Sequence, residues 1–153
     1  MKPEKFLSKV DGQLKAMKKM KKKHVAVGIL ASEATSRIYD SGANVLDVAV
    51  SNEFGTRTTP ERSFLRMPQE VKDKEIRAFI NKKTIEVLEG APVDKGLGLI
   101  GTYVVNVTQK AFASNGFGKW APLDPKTIKK KGSSATLIDK GTLKNSVTYE
   151  VRK

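Results

Sequence analysis

The sequence predicts a single α+β domain, and three observations carry the prediction. Apolar residues recur at spacings of three and four over long windows, the period of an amphipathic helix. Two short segments, residues 24–30 and 147–151, alternate apolar and polar positions instead. These two segments lie far apart in the chain with helical patterns between them, which suits neither an all-β fold nor a βαβ array. The expected architecture is a long basic N-terminal helix (residues 1–23) carried by an α+β domain (residues 24–153). That domain has two central packed helices and a small, mostly antiparallel sheet that includes the C-terminal strand. A chain of 153 residues fits one domain, and it can bury about two thirds of its unfolded surface.

Residues 3–23 read as the first helix. Phe6, Val10, Leu14, Met17 and Met20 form its stripe, widened by Leu7. The stripe is expected to be core. Pro3 suits a first turn, and the late lysines suit the negative end of the helix dipole. His24-Val25-Ala26-Val27-Gly28-Ile29-Leu30 reads as a strand, with Val25, Val27 and Ile29 on one face. Residues 31–43 are small and polar and read as a mobile loop. Asn44 offers an N-cap to a short helix lined by Val45, Val48, Ala49 and Asn52, which Gly55 ends. An irregular stretch, Glu53 to Leu65, separates it from a helix that opens at Pro68 and runs to about Glu89. Ile76, Phe79, Ile80, Val87 and Leu88 are its expected inner face.

Residues 92–114 admit two readings. Tyr103 to Thr108 alone passes as a strand. The sustained stripe Leu97, Ile100, Val104, Val107 and Ala111 favours a helix. Gly96, Gly98 and Gly101 each weaken a helix by about 1 kcal/mol relative to Ala, so they are expected to permit close packing against the preceding helix. Asn115-Gly116 gives the stop. Gly118 to Pro125 reads as an ordered turn around the only tryptophan, Trp120. Asp124-Pro125 starts a short helix through Ile128, Lys129 to Ser134 is an exposed tip, and Thr142 to Ser146 is a single turn. The two strands pair with each other, with a strand near Thr136 to Ile138, or with neighbouring copies.

The formal net charge of +13 is unevenly distributed. Residues 1–30 carry nine lysines against Glu4 and Asp11, residues 31–117 balance eleven bases with eleven acids, and residues 118–153 carry nine bases against three acids. Two basic ends on a neutral body suggest an anionic partner or a lumen through which a polyanion passes. The plainer reading is a solvated basic surface. The candidate contacts for DNA or an acidic partner are Lys15, Lys18, Lys19, Lys21, Lys22 and Lys23, and Lys129, Lys130 and Lys131.

The familiar catalytic patterns are missing. There are no cysteines and one histidine, His24, which has no acid cluster beside it in sequence. Gly96, Gly98 and Gly101 spell Gly-x-Gly-x-x-Gly, yet they follow no strand and open no βαβ unit. Acidic pairs such as Asp73 and Glu75, or Glu86 and Glu89, have lysines beside them and read as solvated helix surface. No enzyme activity, cofactor or metal is expected. No apolar run of about 18 residues occurs, so no membrane-spanning helix is expected, and the first residues lack an apolar signal core.

Three blocks in fixed order do carry a likeness. The first is Glu53-Phe54-Gly55-Thr56 followed by Pro60-Glu61-Arg62-Ser63-Phe64-Leu65. The second is Trp120-Ala121-Pro122-Leu123 followed by Thr127-Ile128 and a lysine run. The third is Leu137-Ile138-Asp139-Lys140-Gly141-Thr142-Leu143 followed by Asn145-Ser146-Val147. Together, over residues 45–151, they resemble the tail-completion or virion-morphogenesis proteins of tailed bacteriophages. That group includes the phage Mu protein G type and the HK97-like neck proteins. Ser63 and Lys140 stand where the family pattern usually has Pro and a Thr-like residue.

The resemblance implies a structural virion protein of the neck or tail, assembled in the host cytoplasm. Such proteins form a homo-oligomeric ring, often a hexamer, at the head-proximal end of the tail. The ring meets the tail tube or tail terminator and the head–tail connector, and genomic DNA passes through it. No membrane is involved. On this reading Glu53, Arg57, Glu61, Arg62 and Arg66 are candidates for the subunit interface. Phe54, Gly55, Pro60, Phe64, Leu65, Trp120, Pro122, Leu123, Gly141 and Leu143 are the expected loop anchors, with Phe54 and Phe64 pinned inward. The alternative function is a basic DNA-binding module acting through the N-terminal helix and the 126–131 loop. Its lysine runs have little aromatic interleaving, which speaks against recognition of single strands by stacking.

Overall fold

A 21-residue helix, Val93–Ala113, is the spine of the computed structural model, which describes residues 3–30, 39, 42–138 and 141–153. In chain order the elements are α1 (Pro3–Lys21), β1 (His24–Ile29), α2 (Val45–Phe54), α3 (Arg66–Val71), α4 (Asp73–Leu88), α5 (Val93–Ala113), α6 (Pro125–Lys131), α7 (Thr142–Asn145) and β2 (Val147–Arg152). At 1.5 Å per residue α5 is about 30 Å long. Its buried positions Val93, Leu97, Ile100, Val104, Val107 and Ala111 follow at spacings of three and four, as its stripe predicts.

The two strands form one antiparallel pair. Val25 faces Val151, Val27 faces Tyr149 and Ile29 faces Val147. These apolar pairs lie on one face because side chains alternate along a strand, and the sheet packs on α5. Two glycines of α5 make close approach possible. A Cβ on Gly96 would lie 2.5 Å from Val87 Cγ2 of α4, and one on Gly101 would lie 2.2 Å from Tyr149 Cδ2 of β2. Gly96 thus serves the expected helix–helix contact, while Gly101 serves the sheet.

The core has two ends. Towards the start of α5, Val87, Val93, Leu97 and Ile100 pack with Ala16, Met20, Val25 and Val151. Towards its end, Phe64, Phe112, Trp120, Leu143, Val45 and Val147 form the larger cluster. There Phe112 meets Phe64 at 5.4 Å between ring centroids and Trp120 edge-on at 5.7 Å. Between the two ends, Phe79 of α4 stacks on Tyr103 of α5 at 4.2 Å.

Several expectations are corrected. The helix expected from Pro68 to Glu89 is two helices, and Pro68 is the third residue of α3. Lys72, at φ −107° and ψ 20°, makes the break, although its N–H still reaches the Pro68 carbonyl at 3.1 Å. Residues 136–137 form a turn, and the Thr136 N–H donates to Asn115 Oδ1 at 3.1 Å, so no third strand forms there. The lysines expected at a flexible tip continue α6 to Lys131, where Gly132 closes it at φ 72°. Ile80, expected on the inner face, is exposed. Of the apolar stripe of α1, expected as core, Val10 and Met20 are half-buried, and Met20 docks together with Ala16, while Phe6, Leu7, Leu14 and Met17 stay exposed. The ties that hold α1 lie at its end, where Lys19 and, just beyond it, Lys23 reach Asp94 at the start of α5, and among the described residues nothing covers its first turns. The 31–43 loop falls mostly outside the described residues.

Candidate interaction surface

Glu53, at the C-terminal end of α2, organises the irregular stretch that follows. It is 6% exposed, and both carboxylate oxygens are saturated. Oε1 accepts from the Ser63 hydroxyl at 2.7 Å and the Arg66 N–H at 3.0 Å. Oε2 accepts from the N–H groups of Phe64 at 2.8 Å and Leu65 at 2.9 Å. These are the donors that the start of α3 leaves without a helical partner. A carboxylate supplied from a distance of 10 to 13 residues therefore caps α3, where its charge also suits the helix dipole. Ser63 Oγ in turn accepts from the Met67 N–H at 2.9 Å.

The stretch is then bolted to the second block. Arg62 is 6% exposed and donates from Nε to the Ala121 carbonyl at 2.9 Å and from a terminal nitrogen to the Pro122 carbonyl at 3.0 Å. Burial pushes its guanidinium below the ordinary arginine value, which still leaves it charged at neutral pH. The indole N–H of Trp120 donates to the Ser63 carbonyl at 2.9 Å. Gly116, at φ 66°, lies so close to Trp120 that a Cβ would stand 2.4 Å from the ring. Leu143, from the third block, is buried in the same cluster as Phe64 and Trp120. All three blocks therefore meet at one place, around the end of α5.

Glu53 and Arg62, expected at a subunit interface, are thus internal, because the backbone donors of residues 64–66 and the carbonyls of 121–122 need charged partners once buried. Phe54, expected to point inward, is 62% exposed. Its ring lies under the Arg66 guanidinium at 5.5 Å, a cation–π distance, and Arg66 also pairs with Glu61 at 2.6 Å. Arg57, Glu61 and Arg66, the other interface candidates, lie on the surface. Among the loop anchors, Phe64, Trp120 and Leu143 are buried, Leu65 and Leu123 are half-buried, and Pro60 and Pro122 are exposed. Gly55 (φ 72°) and Gly141 (φ 76°) occupy conformations that favour glycine. The capping role of Glu53 was missed in the sequence; the signal was an acid two residues before a glycine stop with a serine ten residues on.

Above this platform lies an apolar groove of about 380 Å³ between α2 and the start of α3. Leu46, Val50 and Phe54, at i, i+4 and i+8 on α2, form its exposed wall, and Ile29, Phe64 and Leu65 its floor.

The lysines divide into paired and unpaired sets. Lys19 and Lys23 both reach Asp94 at the start of α5, Lys19 at 3.6 Å. The Lys23 bond, foremost, holds the Asp94 carboxyl below its ordinary value. Lys15 pairs with Asp11 at 2.7 Å. Lys131 donates to the Ala135 carbonyl at 2.6 Å. Lys18, Lys21, Lys22 and Lys129 are exposed and have no ion-pair partner among the described residues. The side chain of Lys130, and Lys140, lie outside the described residues. α1 sits at the start of α5 and α6 follows from its end, so the two lysine runs lie at opposite ends of a 30 Å-scale helix and do not merge into one patch. Among the described residues no group of three or more His, Cys, Asp or Glu side chains is placed to hold a metal ion, and no helix is long and apolar enough to cross a membrane.

No protein-family model, curated protein or solved structure matches this chain.

Proposed function

We propose that this protein is a structural virion protein of a tailed phage, forming a ring at the head-proximal end of the tail. There it completes the tail and joins it to the head connector, with DNA passing through. The observation that carries the reading is the convergence of the three family-like blocks. Glu53 with Ser63, Arg62 with Ala121 and Pro122, and Leu143 with Trp120 make one rigid knot out of segments far apart in sequence. The knot holds a loop that presents Arg57, Glu61, Arg66 and Phe54 to the exterior, and such loops on a rigid scaffold are where contacts concentrate. The neutral body with basic ends suits a ring between acidic protein rings or around DNA.

The reading is tested by assembling tails with and without the protein. Tails made without it fail to join heads, and adding the purified protein restores joining. Normal joining in its absence overturns the proposal.

A further inference from the structure

α1 and the groove beside α2 each present apolar side chains to the exterior. On α1, Phe6, Leu7, Leu14 and Met17 are 54%, 65%, 49% and 55% exposed. A helix normally buries such a stripe, and here four of its residues stay about half or more exposed. Unpaired Lys18, Lys21 and Lys22 border the stripe. On α2, Leu46, Val50 and Phe54 are 44%, 50% and 62% exposed along the apolar groove. The one cation of its lining, Arg66, is paired with Glu61, while Asp47, three residues before Val50 on α2, and Glu70, four after Arg66 on α3, have no ion-pair partner among the described residues. One surface is apolar with a basic margin, and the other is apolar with an acidic margin.

The two surfaces cannot meet within one chain. α1 docks at the start of α5, through the cluster of Val87, Val93 and Leu97. α2 docks at the end of α5, through Ala111 and Phe112. The spine between them is about 30 Å long. A body with complementary patches at opposite ends associates head to tail, and such a heterologous contact closes into a ring when its rotation permits.

We propose that the exposed stripe of α1 from one copy seats in the α2 groove of the next, with Lys18, Lys21 and Lys22 facing Asp47 and Glu70. This rests on the reading of the chain as a ring-forming protein and specifies the contact that makes the ring. The occupant is a second copy because the charged margins are opposite in sign and both belong to this chain.

The absence of native cysteines permits a direct test. Leu14→Cys and Val50→Cys are made separately in the full chain, at exposed positions, and folding is checked by circular dichroism. The two proteins are mixed and treated with a short bis-maleimide. The contact predicts crosslinked dimers in the mixture, little in either protein alone, and loss of the oligomer when Leu14→Glu or Val50→Glu is introduced. Three results overturn it. An oligomer that crosslinks Leu14→Cys to itself is an α1–α1 contact, and it leaves the ring reading standing. A chain that stays monomeric at every concentration, without crosslinks, sinks both. Co-sedimentation of a monomeric chain with phosphatidylserine-containing vesicles, abolished by Leu14→Glu, assigns the stripe to a lipid surface.

Discussion

The carboxylate of Glu53 accepts a 2.7 Å hydrogen bond from the hydroxyl of Ser63, and that pair fixes the loop between α2 and α3. Three backbone N–H groups share the same carboxylate. Removing the acid leaves four donors without that partner, two of them buried and two part-buried, at about 1–3 kcal/mol for each fully buried group. Glu53→Ala is expected to cost about 3–5 kcal/mol by chemical denaturation, and Ser63→Ala about 1–2 kcal/mol. The double variant should fall well short of the sum of the two, since both remove the same bond. Additive losses would show that Ser63 contributes independently of Glu53.

Phe64 is fully buried and Trp120 is 7% exposed, with Phe112 between their rings. Phe64→Ala and Trp120→Ala are each expected to cost about 3–5 kcal/mol. Phe54→Ala, at an exposed ring, should stay within about 1 kcal/mol. An equal loss for Phe54 would contradict its surface placement.

Gly101 meets the Tyr149 ring so closely that a methyl group has no room. Gly101→Ala is expected to destabilise by about 1–3 kcal/mol, despite the gain in helix propensity, because it pushes β2 away from α5. Combining it with Tyr149→Ala should abolish most of the penalty of the glycine change. A Gly101→Ala protein more stable than the parent would show that β2 yields freely.

Thr108 sits inside α5 with its hydroxyl buried and without a hydrogen-bond partner. Thr108→Val removes that orphan at nearly unchanged volume. It should raise stability by about 1 kcal/mol, read as a higher denaturation midpoint at unchanged slope. A loss of similar size would mean the hydroxyl is partnered in solution.

Asp94 ties α1 to α5 through Lys23 and Lys19, and these contacts hold its carboxyl below the ordinary value of about 3.9. A depressed carboxylate contributes stability that is present above its unfolded-state value and is lost as pH falls through the folded-state value. Docking of α1 should therefore be intact from pH 5 upwards and loosen below about pH 4, seen as rising amide exchange along residues 16–21. Asp94→Asn should show the loosened pattern already at neutral pH. The same α1 exchange in parent and variant at pH 7 would contradict this role.

Much of the scaffold was legible in the sequence because periodicity reports burial directly. The stripe of α5, the Asn44 cap, whose side chain accepts from Leu46 N–H at 2.8 Å, and the alternating strands all follow from it. The knot was legible only as a set of residues. Glu53 and Arg62 looked like surface charges, because nothing in their neighbours reveals that distant backbone groups will need a buried ion. Phe54 shows the converse. An aromatic beside a helix stop looks like an anchor, but its position on α2 turns it outward under Arg66. The stripe of α1 has a good helical period, and period alone does not say whether the chain supplies the surface that covers it.

The most direct test of the central claim is electron microscopy of tails assembled with this protein carrying a bulky tag at Lys153. The account predicts a closed ring at the head-proximal end of the tail, with tags at regular angular spacing. Tails without ring density, or tags scattered along the tube, would contradict it.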